Sequence, residues 1–478
     1  MAIGPAARGD ATGEARERHG GPGSGGAGVA PLTILGGGPA GLALAYYATR
    51  ADIPVALYEK STRFGGLCST FRCGEHLYDS GAHRFHDRDP EVTRDVRALL
   101  GDELLRISAP SQIYERGRFV DFPPTPLGLI LSNGLRDAGK LAGEIISARL
   151  AGKRHCESFA DFAVSQFGPS LARRFLLDYS EKLWGLPAVQ LSPDVATRRL
   201  QGMTVRSLLV EMLLPGRKAK HIDGEFLYPR GGYGRITDAL AAAVPEDSLH
   251  GGRQVSRLDF AGDRVRSICF GDGTSVEVGD GRVASTLPLT RLVELLGDRL
   301  PQHVREEAGK LRFRHIRLLF LRLAQPTVTP NASIYIPDAR FCVSRLYEPR
   351  NRSAAMAPVG ETSLVVEAPC FAGDPVQLLS DEAFAARVID ELSSIGLVQP
   401  SRVVEWRHHF LANAYPVYSL DYTRSVQIIL AGLPAIANLD TAGRSGRFFY
   451  GHLHDQMRFA KDYVAALTPV GAIASQPA

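Results

Sequence analysis

Three glycines near the amino end, Gly36, Gly38 and Gly41, stand in a G-x-G-x-x-G spacing inside the run Gly36-Gly37-Gly38-Pro39-Ala40-Gly41. The chemistry served by that spacing is the holding of a pyrophosphate. The first glycine turns the chain sharply, and the second lets the backbone come up against phosphate. The third lets a helix pack closely on a strand, with the helix amino end aimed at the anion. Such a motif is weak alone, but its setting strengthens it. Leu32 to Leu35 precedes it as a short apolar run, an Ala/Leu-rich stretch to Thr49 reads as a helix, and Val55 to Tyr58 reads as a second strand. Glu59 then ends that strand, where a carboxylate suits the two hydroxyls of an adenosine ribose. The order β-turn-α-β within about 30 residues is what a dinucleotide fold requires.

Just beyond, Arg63-Phe64-Gly65-Gly66-Leu67 offers two more glycines and a second backbone approach to a dinucleotide. This element resembles the R-x-G-G of flavin amine oxidases, which implies FAD rather than NAD. Cys68, after the glycine pair, is not at a position for covalent attachment, so the FAD is expected to be held non-covalently. Tyr78-Asp79-Ser80-Gly81-Ala82-His83-Arg84-Phe85-His86 is similar to a D-x-G-G/A-H-x-F segment. Together these residues resemble the flavin amine oxidase and protoporphyrinogen-oxidase-like superfamily, with its relative UDP-galactopyranose mutase, from Leu32 to Leu467. The resemblance implies that Gly81, Ala82 and His83 pass close to the flavin and that Val255 touches the adenine. It also implies that Gly443 and Arg444 meet the ribityl-pyrophosphate region, with Asp455, Gln456 and Met457 near the isoalloxazine. Pro39, Ala40, Lys60 and Leu67 complete the expected cofactor set. Glu181-Lys182-Leu183-Trp184-Gly185 resembles a lid or substrate-domain motif, and Tyr228 to Gly234 a segment that reaches the flavin face. Arg447 to His454 is richer in aromatics and histidine than the family pattern.

The candidates for catalysis are His83, His86, Arg230 and Tyr418. On an extended segment His83 and His86 would face opposite sides, so one is expected at the flavin. Arg230, Arg444 and Arg447 could bind an anionic group in a bidentate way. Trp184, Arg230, Tyr415, Tyr418 and Arg447 form the expected substrate set. Two of these readings stay open: Tyr415 and Tyr418 suit either substrate or a plain strand edge, and Trp184 suits either stacking or the core. No metal site is expected, because Cys68 and Cys73 with His76, His83 and His86 match no common zinc spacing. The six cysteines read as thiols in a reducing compartment. The flavin that the resemblance implies would carry the redox chemistry, and it would require few acid-base residues, which fits a sequence with no Ser/His/Asp constellation.

The elements that must position these groups fit an α/β fold: a Rossmann-like FAD-binding domain with an inserted α+β substrate-binding domain and a helical subdomain. Helices are expected at 135–150, 159–167, 171–182, 289–296 and 455–467. Strands are expected at 255–258, 264–270, 283–285, 316–323, 333–336 and 363–367. The expected divisions are a disordered leader over 1–30, FAD-binding pieces at 31–100, 225–300 and 431–478, a mostly helical substrate or lid domain at 101–224, and a substrate-domain sheet at 301–430. Residues 127–153 form an amphipathic stretch that either packs beside the substrate domain or docks on a membrane surface.

With 45% hydrophobic and 22% charged residues, the chain reads as an ordinary globular protein of several domains. A net charge of +4 over 478 residues is too small to argue for nucleic acid. No segment reaches the ~18 uninterrupted apolar residues of a spanning helix, and the expected location is cytoplasmic. The expected activity is hydride transfer to flavin N5 from a small polar substrate: an amine, amino sugar or sugar-derived metabolite, anionic or a nucleotide sugar. The alternative is a flavin-dependent nucleotide-sugar mutase with no net redox change. A non-catalytic FAD-binding scaffold is a third reading.

Overall fold

The apolar run Leu32–Leu35 is strand β1, followed by helix α1 (Pro39–Arg50) and strand β2 (Val55–Tyr58). Proline at the first turn of α1 costs no hydrogen bond there and presets the helical φ. The computed structural model describes residues 30–122, 126–150, 156–199 and 225–468. The expected leader lies outside them apart from Ala30. Strands β1 and β2 are central in a five-stranded parallel sheet ordered Leu439–Thr441, Arg282–Ser285, β1, β2, Leu249–His250. Parallel sheets are covered on both faces, so their strands are apolar throughout. Leu32, Ile34 and Leu57 pack with α1 and the final helix, Leu453–Leu467. Leu35, Tyr58 and Val283 face a three-stranded antiparallel sheet (Val255–Ala261, Arg264–Phe270 and Ser275–Glu277) on the other side.

A second, seven-stranded sheet runs in the order Val403–Pro416, Phe313–Leu323, Thr362–Cys370, Arg345–Tyr347, Ser333–Tyr335, Ser111–Glu115, Arg118–Phe122. Its last two strands, with Leu104–Ile107, correct the expectation of helix through this stretch. They are short, and their hairpin turns on Arg116 and Gly117 at φ of 51° and 80°. An alternating strand of five residues gives too brief a pattern to stand out beside long helices. The helical part holds Pro126–Leu150, Phe159–Phe167 and the run Pro169–Trp184, whose middle turn, Arg173–Leu177, is π-helical. Ser158 and Asp161 close a capping box at the second of these helices. In Pro126–Leu150, Leu141 is core, and the Glu144 carboxylate accepts from the Ser170 N–H and hydroxyl at 2.8 Å each. That face packs on protein. Among the described residues no helix is long and apolar enough to cross a membrane.

Lys182 ties the helical part to the second sheet. Its ammonium donates to the carbonyls of Ile336, Asp338 and Val343 at 2.8, 2.8 and 2.6 Å. Burial lowers its pKa to about 8, which still leaves it charged at neutral pH. Lys182→Met should strand three carbonyls and cost about 2–3 kcal/mol, read as a lower urea midpoint at unchanged m-value.

Candidate active site

The carboxyl ends of the parallel strands open on one cavity of about 1000 Å³. Its floor is the glycine turn after β1. A Cβ on Gly41 would lie 1.9 Å from the Gly36 carbonyl oxygen, so no other residue permits this contact of helix and strand. Gly38 by contrast faces open space, with nothing within 4 Å of an added Cβ. A Cβ on Gly66 would come 3.0 Å from Gly38 Cα, and one on Gly443 2.5 Å from Ala40 Cβ. Three backbone segments thus converge on the amino end of α1, where no side chain caps the N–H groups. Those uncapped donors, the helix dipole and the open face of Gly38 fit a pyrophosphate. Glu59 accepts from Gly37 N–H at 2.7 Å through one oxygen and from Ser61 N–H at 3.0 Å through the other. The carboxylate is therefore fixed in the cavity wall with lone pairs to spare, as a ribose requires.

Past the α1 amino end the wall changes character. His83 stacks on Tyr233 with centroids 5.0 Å apart, and His86 meets His452 edge-on at 5.2 Å. Burial holds all three histidines neutral: His83 is lowered to about 3, with Arg345, Arg352 and Arg444 adding to the effect. His86 falls to about 2, burial again first and His452 next, and His452 to about 4, burial first and His454 next. Arg345 and Glu367, cross-strand neighbours in the seven-stranded sheet, pair through contacts of 2.7 to 3.1 Å. Glu367 also accepts from Ala82 N–H at 2.8 Å. Arg444 lies over the rings of Tyr415 and Tyr450, 4.9 and 4.8 Å from their centroids. Arginines outnumber carboxylates in the wall, and Glu294 and Glu367 are already paired with Arg291 and Arg345. The cavity is electropositive, and its histidines carry no charge.

Of the residues expected at the cofactor, Gly36, Gly38, Pro39, Ala40, Glu59, Lys60, Arg63, Gly66, Leu67, Gly81, Ala82, His83, Val255, Gly443, Arg444 and Gln456 line this cavity. Gly41 and Gly65 stand behind it as packing and turn residues, Gly65 at φ +106°. Met457 is fully buried core, and Asp455 accepts from His452 N–H at 2.7 Å to cap the last helix. Both His83 and His86 face the cavity, because the chain is not extended there: His83 N–H donates to the Gly81 carbonyl at 2.8 Å. That tight turn undoes the two-sided reading.

The substrate set divides. Tyr415 lines the cavity, but Trp184, Tyr418, Arg230 and Arg447 are not in its wall. Trp184 is buried at 0% exposure, stacked on Tyr418 at 5.7 Å, so the core wins over stacking on a ligand. Tyr418 in turn accepts from Tyr450 N–H behind the wall. Arg230 points to solvent, and Arg447 lies 5.5 Å over Phe459. The residues missed were Arg345, Glu367, Tyr450 and His452. Their signal is tertiary: a buried charged pair on adjacent strands has no spacing rule, although the excess of histidine after Arg447 was a hint.

The family model described as "Flavin containing amine oxidoreductase" matches residues 39–454. Among curated proteins the chain is similar to a Coproporphyrinogen III oxidase of Mycobacterium leprae, 24% identical over 84% of this chain and 91% of the relative. Among solved structures it is similar to reduced UDP-galactopyranose mutase, with TM-score 0.79 and 19% identity over 92% of this chain and 93% of the other. Putrescine oxidase bound to putrescine matches with TM-score 0.62 and 15% identity over 92% and 98%. At these identities the structural likeness shows the fold.

The neutral histidines carry a pH signature. Their folded pKa values of about 3 and 2 for His83 and His86 lie below the ordinary 6.5. In that window the unfolded chain binds more protons than the folded one, so stability must fall as pH drops below 6.5. Each such histidine contributes up to about 1.4 kcal/mol per pH unit. Urea midpoints measured from pH 7 to 4 should fall steadily, and His86→Asn should make the slope shallower.

Proposed function

The chain belongs to the flavin-containing amine oxidoreductase family, and from that premise we propose that this flavin-dependent oxidoreductase holds FAD non-covalently and oxidises a small polar, anionic substrate: an amine, amino sugar or sugar-derived metabolite. One observation carries the reading. A single cavity runs from an uncapped helix amino end to a chamber of neutral imidazoles, phenols and guanidinium groups, where the Glu367 carboxylate is already paired with Arg345. When bound there, the flavin supplies the hydride acceptor, N5. The residues of the chain do the rest. Gly36, Gly38 and the α1 amino end hold the pyrophosphate, and Glu59 holds the ribose. Arg345, clamped by Glu367, and Arg444, laid against Tyr415 and Tyr450, offer guanidinium groups to an anionic substrate. His83 and His86 orient by hydrogen bonding and stay uncharged. Cys68 is buried, with its thiol pushed up to about 12, which supports non-covalent binding because a thiol is inert while protonated. Residues 31–100, 225–300 and 431–478 would form the FAD-binding unit, with 101–224 and 301–430 forming the substrate side.

A second reading, a nucleotide-sugar mutase with no net redox change, is favoured by the same arginines and tyrosines, which also suit a diphosphate. Anaerobic titration separates the two. Visible flavin absorbance should bleach on adding an amine, an amino sugar or a sugar acid alone. Bleaching by dithionite or NAD(P)H only, followed by isomerisation of UDP-galactose on the reduced protein, would replace the oxidoreductase with the mutase.

A further inference from the structure

The strand Val403–Pro416 breaks its own rule where it meets the cavity. A regular strand turns alternate residues to opposite faces, yet Leu411, Ala412, Asn413, Ala414 and Tyr415 all line the cavity. The register explains how. Arg314 pairs with Tyr415 and Ile316 with Leu411, so His315 alone stands opposite Ala412, Asn413 and Ala414. This bulge inserts two extra residues. Asn413 takes φ +54°, a left-handed conformation that asparagine tolerates and β-branched residues resist. The bulge is latched by Asn413 N–H donating to His315 Nδ1 at 3.0 Å, which requires that nitrogen to be unprotonated. It turns the Ala414 carbonyl toward Arg444, whose Nη2 donates to it at 2.8 Å.

We infer that the Asn413 bulge, latched by His315, is the positioning device that sets Arg444 against Tyr415 and Tyr450 in the cavity wall. Three observations meet here: the register slip, the positive φ of a non-glycine residue, and a guanidinium held by the carbonyl that the slip exposes. Bulges beside a site re-aim side chains in this way. Without the two extra residues, Ala414 would turn its carbonyl into the ladder, and Arg444 would lose its acceptor. The inference rests on the FAD reading only for its second readout.

The test uses Asn413→Val, which disfavours the left-handed conformation, and Asn413→Gly, which permits it. In the apoprotein, phenylglyoxal modification of Arg444, mapped by peptide mass, should be severalfold faster in N413V and unchanged in N413G. The FAD dissociation constant should rise about tenfold in N413V, as expected from a strained αL residue. Adding N413V to Arg444→Lys should then cost little more than R444K alone, because both remove one arrangement. If N413V does not yield folded protein, His315→Phe, which removes the acceptor, decides by the same measurements. An unchanged modification rate and FAD affinity in the variant, or additive effects with R444K, would overturn the assignment. If the wild-type chain takes up no FAD, the cofactor reading falls, and the modification rate still judges the bulge.

Discussion

Asp79 is fully buried where the flank of the parallel sheet meets the seven-stranded one, and a carboxylate survives there only because it is met by donors on every side. Thr70 donates its hydroxyl at 2.6 Å, Tyr233 its N–H at 2.9 Å, and Tyr228 its phenol. Burial still raises the carboxyl's pKa, so these bonds offset the desolvation without abolishing it. The backbone is held as tightly. The Tyr347 hydroxyl takes the Asp79 N–H and gives its own proton to the Asp79 carbonyl, both at 3.0 Å. Three and four residues on, Glu367 accepts from Ala82 N–H, and Arg352 donates to the His83 carbonyl. All three clasps come from the second sheet or the loop after it. The turn that faces the cavity is thus placed by a part of the chain some 270 residues away.

That seam also settles the electrostatics. Arginines cannot shed their charge in a protein, whereas histidines can. Crowding the two kinds together in a buried wall therefore leaves the guanidinium groups cationic and drives the imidazoles neutral, with burial the larger cause. A low-dielectric, electropositive chamber favours any bound group that gains electrons or carries phosphate.

How much of this could be read from the residues follows from the range of the interactions. The α1 cradle was legible because its function is local: three glycines, one helix start and Glu59 lie within a single βαβ unit. The helices Phe159–Phe167 and Leu289–Leu296 have clear apolar periods whose bounds in the sequence coincide with those in the structure. The hairpin of Ser111–Glu115 and Arg118–Phe122 carries little sequence signal because each strand shows only two or three alternations. Arg230 reads as a ligand because a guanidinium can bind an anion in a bidentate way and its segment resembles one that reaches the flavin face. In the structure it is Tyr228 and Tyr233 that turn inward, to Asp79, and the arginine between them faces water. Arg345 and Glu367 carried no local signal at all, since their meaning is a pairing across strands.

The two sides of the cavity are built on different logic. Around the α1 amino end, four parts of the wall leave the carboxyl ends of parallel strands: Gly36 after β1, Glu59 after β2, Thr286 after Arg282–Ser285, and Gly443 after Leu439–Thr441. Regular structure sets those positions, and regular structure has a period. Beyond that cradle, the wall comes from places where regularity fails. These are the Asn413 bulge, the π-turn that brings Phe175 and Leu176 to the cavity, and the Gly81–His83 turn. Irregular turns are each a one-off solution, maintained by buried partners rather than by pattern. The α1 cradle is therefore legible in the sequence and the wall beyond it is not, because the first is encoded in spacing and the second in exceptions to it.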